Sequence, residues 1–243
     1  MCTIPLIRYL HQQYPDSEIT LFVDESNSAL AKYIPHLKEV IVIPRGNKYL
    51  NLLLLAVKYY RHFEQAYSAK TSPMKMMNLF LYCLQAKKRY AYIDKSWHSC
   101  LINYPRKHQN KRGQHQALKV LHLADASFKS VPKELFPRLV VREAKKLTTP
   151  LMVISASTTG EVSRLPSHDY AAIINTLAND FSFEVRITNL PQDLARAQEL
   201  ESLINTKVSI QPPVDFDGFI SLINMCDLVF AGDGGIAHIS SAL

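Results

Sequence analysis

The sequence predicts an α/β protein built on doubly wound parallel sheets. Three observations carry this. Short apolar runs alternate with segments of helical spacing along nearly the whole chain, the pattern of parallel strands covered by helices. The alternation is interrupted once, over residues 132–150, by a charged stretch with three of the thirteen prolines, and it restarts at Leu151. The charge divides at nearly the same place. Residues 1–146 hold 24 Lys and Arg against 10 Asp and Glu, whereas residues 147–243 hold 4 against 11. Two domains follow, 1–145 and 150–243, with different partners.

In the first half, Ile7, Leu10 and Tyr14 stand at i, i+3 and i+7, so residues 4–14 read as a helix ending at the turn signal Pro15-Asp16. Residues 19–23 form a short apolar strand, 26–33 a second helix, and 40–43 another strand before Pro44. Residues 48–62 are apolar and helical in character. Ala66-Tyr67-Ser68 reads as a short strand, followed by a loop over 70–73 and a helix to about Ala86. Residues 90–93 form the next strand, and 115–126 a further helix. Between them, Arg106, Lys107, His108, Lys111 and Arg112 cluster in a stretch that reads as a loop bounded by Pro and Gly.

The second half is more regular. Strands are expected at 151–154, 184–187, 207–210 and 228–231, and helices at 167–179, 191–204 and 216–225. Leu228-Val229-Phe230-Ala231 reads as a buried parallel strand. It breaks into Gly232-Asp233-Gly234-Gly235, which holds three of the chain's seven glycines, and then opens a last helix. In such sheets, ligands sit beyond the carboxyl ends of the strands.

Composition excludes several classes. The apolar fraction of 47% is that of a globular chain. The longest apolar stretches, Leu52 to Val57 and Leu79 to Leu84, are far short of a bilayer span. No secretion signal opens the chain. Cys2, Cys83, Cys100 and Cys226 show no close spacing, so neither a zinc site nor a disulfide framework is expected. A reducing, cytoplasmic setting is the default. The net charge of +7, concentrated in the first half, calls for a polyanion: nucleic acid, a phosphorylated glycolipid or an anionic membrane surface. A nucleic-acid role ranks last, because neither aromatic-interleaved basic strands nor a recognition helix is present.

Chemistry-bearing residues gather at the expected carboxyl edge of the second sheet. The turn around Asp233, Gly234 and Gly235 places amide N–H groups, a helix N-terminus and an acid together, which suits a phosphate or diphosphate. Ser157-Thr158-Thr159-Gly160 offers hydroxyl donors for phosphate oxygens, or is simply a polar turn. Arg164 either contacts a diphosphate or lies on the surface. Asp193 either accepts from ribose hydroxyls or is an ordinary helix-start carboxylate. His238, near the start of the last helix, is read as a packing or hydrogen-bonding residue rather than a catalytic one. No serine-nucleophile elbow, Walker lysine loop or H-E-x-x-H segment occurs.

Residues 233–243, Asp-Gly-Gly-Ile-Ala-His-Ile-Ser-Ser-Ala-Leu, resemble the Asp-Thr/Ser-Gly-x-x-His-x-x-Ala-Ala signature of glycosyltransferase family 9, the heptosyltransferases of the lipopolysaccharide inner core. Gly234 stands where a hydroxyl residue is usual. Ser157-Thr158-Thr159, then Arg164-Leu165-Pro166 and Asp169-Tyr170, resemble the family's hydroxyl loop, basic residue, Trp-Pro and helix, with Leu165 for Trp and Ser163 for a common lysine. Leu190-Pro191-Gln192-Asp193 matches the segment carrying the acid that binds the donor ribose. Thr3-Ile4-Pro5-Leu6 through Tyr14-Pro15-Asp16, and Val40-Ile41-Val42, resemble the start of the acceptor domain.

The resemblance implies a GT-B fold: two Rossmann-like domains facing across a cleft, 1–145 for the acceptor and 150–243, incomplete, for the nucleotide-sugar donor. It implies inverting, metal-independent transfer of heptose from ADP-heptose to an anionic lipopolysaccharide core, with no cofactor beyond the donor and with peripheral contact at the inner membrane. Thr158, Thr159, Asp233, Gly234 and Gly235 would then hold the diphosphate, Asp193 the ribose and Arg164 the leaving group, with His238 completing the donor set. Lys70, Arg106, Lys107, Lys111 and Arg112 would meet the acceptor. The family's aspartate base precedes the Thr-x-Pro helix, so it is expected upstream of Met1, and the chain reads as truncated at both ends. The alternative is a catalytically inactive fragment that retains at most nucleotide or glycolipid binding.

Overall fold

Why the strands pair as they do is set by where the apolar runs fall. The computed structural model describes residues 1–108, 114–144, 147–157 and 165–243. These divide into two units, Met1–Arg138 and Leu139–Leu243.

In the first unit, α1 (Ile4–Gln13) begins with Pro5 in its first turn, where a missing N–H is harmless. Its apolar side, through Leu6, packs with Tyr92, Val120 and Leu123. The Arg8 guanidinium donates twice to the Glu134 carbonyl, at 3.0 and 2.7 Å, fixing the 3₁₀ turn Lys133–Leu135 against α1. β1 (Thr20–Asp24) leads to α2 (Glu25–Ala31) and pairs in parallel with β2 (Glu39–Ile43). Next come α3 (Lys48–Lys58), β3 (Gln65–Tyr67), α4 (Lys75–Leu84) and β4 (Lys88–Ile93). The 3₁₀ turn Trp97–Leu101, β5 (Tyr104–Lys107) and α5 (Gln116–Leu121) complete the order. Ile41, Ile43, Leu52, Ala56, Phe80 and Leu84 share one core, and Phe22 sits edge-on to Tyr59, Phe63 and Phe80.

Two features depart from expectation. The segment from Tyr104 to Lys107 is not a loop but a strand, parallel to β4. Pro105 masks it in the sequence, yet Pro is tolerated on an edge strand, and β5 is one. The sheet of this unit is also not continuous. β1–β2 and β3–β4–β5 are separate ladders, and a cavity of about 780 Å³ is lined by residues of both β1 and β3.

The second unit is a single parallel sheet in the order β8-β7-β6-β9. β6 (Leu151–Ser155) is buried at every position, as a continuous apolar run at the centre of a two-sided sheet should be. α6 (Ser167–Asp180), β7 (Glu184–Thr188), α7 (Leu194–Leu203), β8 (Val208–Ile210), α8 (Phe216–Met225), β9 (Leu228–Phe230) and α9 (Gly235–Ser240) follow. The Asp215 carboxylate caps α8 by accepting from the Gly218 amide at 2.8 Å. The core gathers Ile154, Tyr170, Ile174, Val185, Ile187 and Leu200. β9 is not the buried strand its composition predicts. Among the described residues it pairs only with β6, and Leu228 keeps 49% of its surface exposed. No helix among the described residues is long and apolar enough to cross a membrane.

Candidate functional site: the carboxyl edge of the second sheet

From β6 the chain moves to one side to build β7 and β8, then returns to the other side of β6 with β9. The strand order therefore reverses between β6 and β9, and the opening at such a switch point is where α/β sheets hold their ligands. The register makes the edge level: Ile154 is opposite Phe230, and Ser155 is opposite Thr188.

After β9 the chain turns through residues 231–234 into α9. Asp233 is exposed, with Oδ1 3.9 Å from Nε2 of His238, itself largely exposed. A pair this open to solvent adds little to stability. Gly234 is extended, with φ 178°, so its conformation does not demand glycine. A Cβ built on Gly235 meets nothing within 4 Å. Neither backbone strain nor internal packing thus explains Gly235, whereas close approach of a ligand to the backbone would. α9 has only six residues, so what it offers an anion is its first amides rather than a long dipole.

The loops beside the opening are stitched together. Ser155 Oγ donates to the Ser157 carbonyl at 2.8 Å, and Ser157 Oγ accepts from the Leu190 amide at 2.8 Å. The Ala156 amide donates to Thr188 O at 2.9 Å, while Thr188 Oγ1 donates to Ile154 O at 3.0 Å. Of the hydroxyls expected at the phosphates, Ser157 thus serves as the clasp between the segments after β6 and β7. Asp193 closes the 3₁₀ turn Pro191–Asp193 just beyond β7 and stands at the N-cap position of α7, with 7% of its surface exposed. Thr158, Thr159 and Arg164 lie outside the described residues.

Two residues whose contacts local spacing does not reveal shape this edge. Tyr170 on α6 donates its phenol to the Phe230 carbonyl at 2.7 Å, and the two rings stack obliquely with centroids 4.4 Å apart. Burial pushes its hydroxyl up to about 12. Arg196 on α7 donates Nη2 to the Leu165 carbonyl, while its Nε is buried with no acceptor among the described residues. Both roles depend on partners 31 or more positions away, which local spacing does not reveal.

The basic residues of the first unit separate by role. Arg106 Nε and Nη2 donate to the carbonyls of His122 and Ala124, at 3.0 and 3.2 Å, so this guanidinium secures the segment that ends α5. Its expected place in an open basic loop is corrected accordingly. Lys107 is exposed at the carboxyl end of β5, and Lys70 is exposed beyond β3. Lys111 and Arg112 lie outside the described residues.

An α/β unit with one parallel sheet whose strand order reverses between β6 and β9 is thus the class the second half defines. The chain belongs to glycosyltransferase family 9 (heptosyltransferase), whose model matches residues 66–243, well over half its length. Among solved structures, it is similar to the ADP-heptose lipopolysaccharide heptosyltransferase II of E. coli. The identity is 19% and the TM-score 0.78, over 99% of this chain and 77% of that one. A family 9 glycosyltransferase from Veillonella parvula superposes with TM-score 0.79 at 16% identity, over 98% of this chain and 73% of that one. The E. coli heptosyltransferase WaaC, solved with ADP, gives 0.70 at 16% identity, over 99% and 79%. No curated protein sequence matches significantly. The GT-B fold class expected from the sequence is that of these structures.

Proposed function

We propose that this chain is a glycosyltransferase that binds ADP-heptose in its second unit and transfers the heptose to a hydroxyl of a phosphorylated lipopolysaccharide core bound by its basic first unit. The carrying observation is the reversal of strand order between β6 and β9, followed by a turn whose Gly235 neither strain nor packing requires. Family membership supports the reaction class, and WaaC has been solved with ADP and with ADP-2-deoxy-2-fluoro heptose.

In this reading the bond from the anomeric carbon to the diphosphate breaks as the acceptor oxygen attacks from the opposite face, inverting the centre. As its oxygen bonds the anomeric carbon, the acceptor hydroxyl's proton passes to solvent water, and ADP leaves with the electron pair. The amides of Gly234 and Gly235, the hydroxyls of Thr158 and Thr159, and Arg164 meet the charge that develops on the diphosphate. Asp193 accepts from the ribose, and Asp233 holds the diphosphate turn, with His238 completing the donor set. Lys70, Lys107, Lys111 and Arg112 face the anionic acceptor, which at the inner membrane calls for peripheral contact.

Calorimetric titration with ADP tests the site. Asp233→Ala is expected to abolish measurable ADP binding while circular dichroism and the melting temperature stay unchanged; unchanged affinity overturns the assignment. Turnover of ADP-heptose with a heptose-deficient lipopolysaccharide acceptor separates a transferase from a chain that only binds nucleotide or glycolipid.

A further inference from the structure

The helix α3 presents an apolar face to solvent. Asn47 starts it by accepting from the Leu50 amide at 3.2 Å, and Leu52 and Ala56 bury its inner side in the core. On the outer side, Tyr49, Leu50, Leu53, Leu54 and Val57, with Tyr60 just past the end, are each between 52% and 69% exposed. At 100° per residue, the helical members of this set fall within one continuous arc. Core packing thus uses one face of α3 and leaves a second apolar face without a partner among the described residues. Soluble surfaces rarely gather so many large apolar side chains in one patch without a binding role.

The segment that forms the patch carries cations and no acid. No acidic residue occurs between Glu39 and Glu64, a stretch that carries Arg45, Lys48, Lys58 and Arg61. Lys48 and Arg45 reach back to Asp24 and Glu25, at 2.7 and 3.1 Å. Lys58 and Arg61 instead stand over the rings of Tyr59 and Tyr60, at 5.1 and 5.2 Å, and no carboxylate pairs with them among the described residues. The platform is fixed at its far end too, since the Arg61 amide donates to the Leu84 carbonyl at 2.8 Å and the Tyr59 hydroxyl donates to Glu39 at 3.1 Å.

We propose that the outer face of α3 is a docking surface for an anionic lipid bilayer, lying in the plane of the headgroups with its leucines and Val57 inserted. Tyrosines at both ends fit the boundary between apolar chains and water, and the cations fit a negative surface. A second copy of this chain fits poorly. A two-fold interface through this face would set like positive charges near one another and offer no acid to meet them. The inference gives the membrane contact of the proposed function a location.

Co-sedimentation of the full chain with large unilamellar vesicles tests it. With equimolar phosphatidylglycerol and phosphatidylcholine, binding is expected and should fall at least tenfold between 50 and 500 mM salt on the order expected for screening; phosphatidylcholine alone should bind little. Leu54→Glu with Val57→Glu should lower anionic-vesicle binding at least tenfold, and Lys58→Glu with Arg61→Glu should do the same. All four positions are exposed, so the melting temperature should not move. Retained vesicle binding by both double variants overturns the proposal. So does a dimer, seen by sedimentation velocity, that the Leu54→Glu, Val57→Glu chain fails to form. ADP titration of the same samples keeps the two readings apart, because loss of nucleotide binding with vesicle binding intact sinks only the transferase assignment.

Discussion

The phenol of Tyr170 and the carbonyl of Phe230 lie 2.7 Å apart and join α6 to the last residue of β9. This bond anchors the strand immediately ahead of the glycine-rich turn. Where the turn leaves the sheet therefore depends on a side chain 60 positions earlier.

Tyr170→Phe removes the donor and leaves the rings in place. A loss of about 1–2 kcal/mol is expected in urea unfolding, with a severalfold fall in ADP affinity as the turn loosens. The alkaline limb supplies a second readout. The hydroxyl titrates near 10 when exposed and is pushed up to about 12 by burial in the fold. Its stabilisation is therefore complete below pH 10 and lost as pH rises toward 12, by up to about 3 kcal/mol. The Phe variant should show a shallower decline over that window.

Asp193→Asn keeps the shape of the side chain and removes its charge. If Asp193 meets the ribose, ADP affinity falls about tenfold, and the preference for ADP over 2′-deoxy-ADP shrinks with it. A purely structural role for this buried acid would lower the melting temperature and leave that preference unchanged.

Arg106 and Lys107 are neighbours with opposite expected phenotypes. Arg106→Ala deprives two carbonyls of their donors and should destabilise the first unit by about 1–3 kcal/mol in thermal melts. Lys107→Ala should leave the melt unchanged and weaken binding of a phosphorylated glycolipid, measured by titration with core oligosaccharide. Equal stability losses in both would remove Lys107 from the acceptor surface.

Much of the second unit was legible because its signals are local. Leu151-Met152-Val153-Ile154 is a run that only a doubly covered strand tolerates, and the cluster from Gly232 to Gly235 announces a turn after a strand. What stayed hidden is set by distant partners. Four apolar residues at 228–231 do not say whether a strand is central or at an edge, and β9 proved to be at an edge. Tyr104-Pro105-Arg106-Lys107 carries almost no strand signal, and its strand state comes from pairing with β4. The clasp between Ser157 and Leu190 and the burial of Asp193 follow from how the ends of β6 and β7 line up. Residue spacing cannot report such alignments.

The break between β1 and β3 bears on how the first unit opens. Each ladder there holds its own hydrogen bonds, and among the described residues none crosses from one to the other. Cooperativity spreads through shared bonds and shared packing, and here it is packing, through Phe22, Ile41 and Ile43, that joins the two ladders. The hairpin-sized piece β1–α2–β2 therefore constitutes its own exchange unit. Its amides should trade protons with solvent as one block, at a lower opening free energy than those of β4, which is held on both sides.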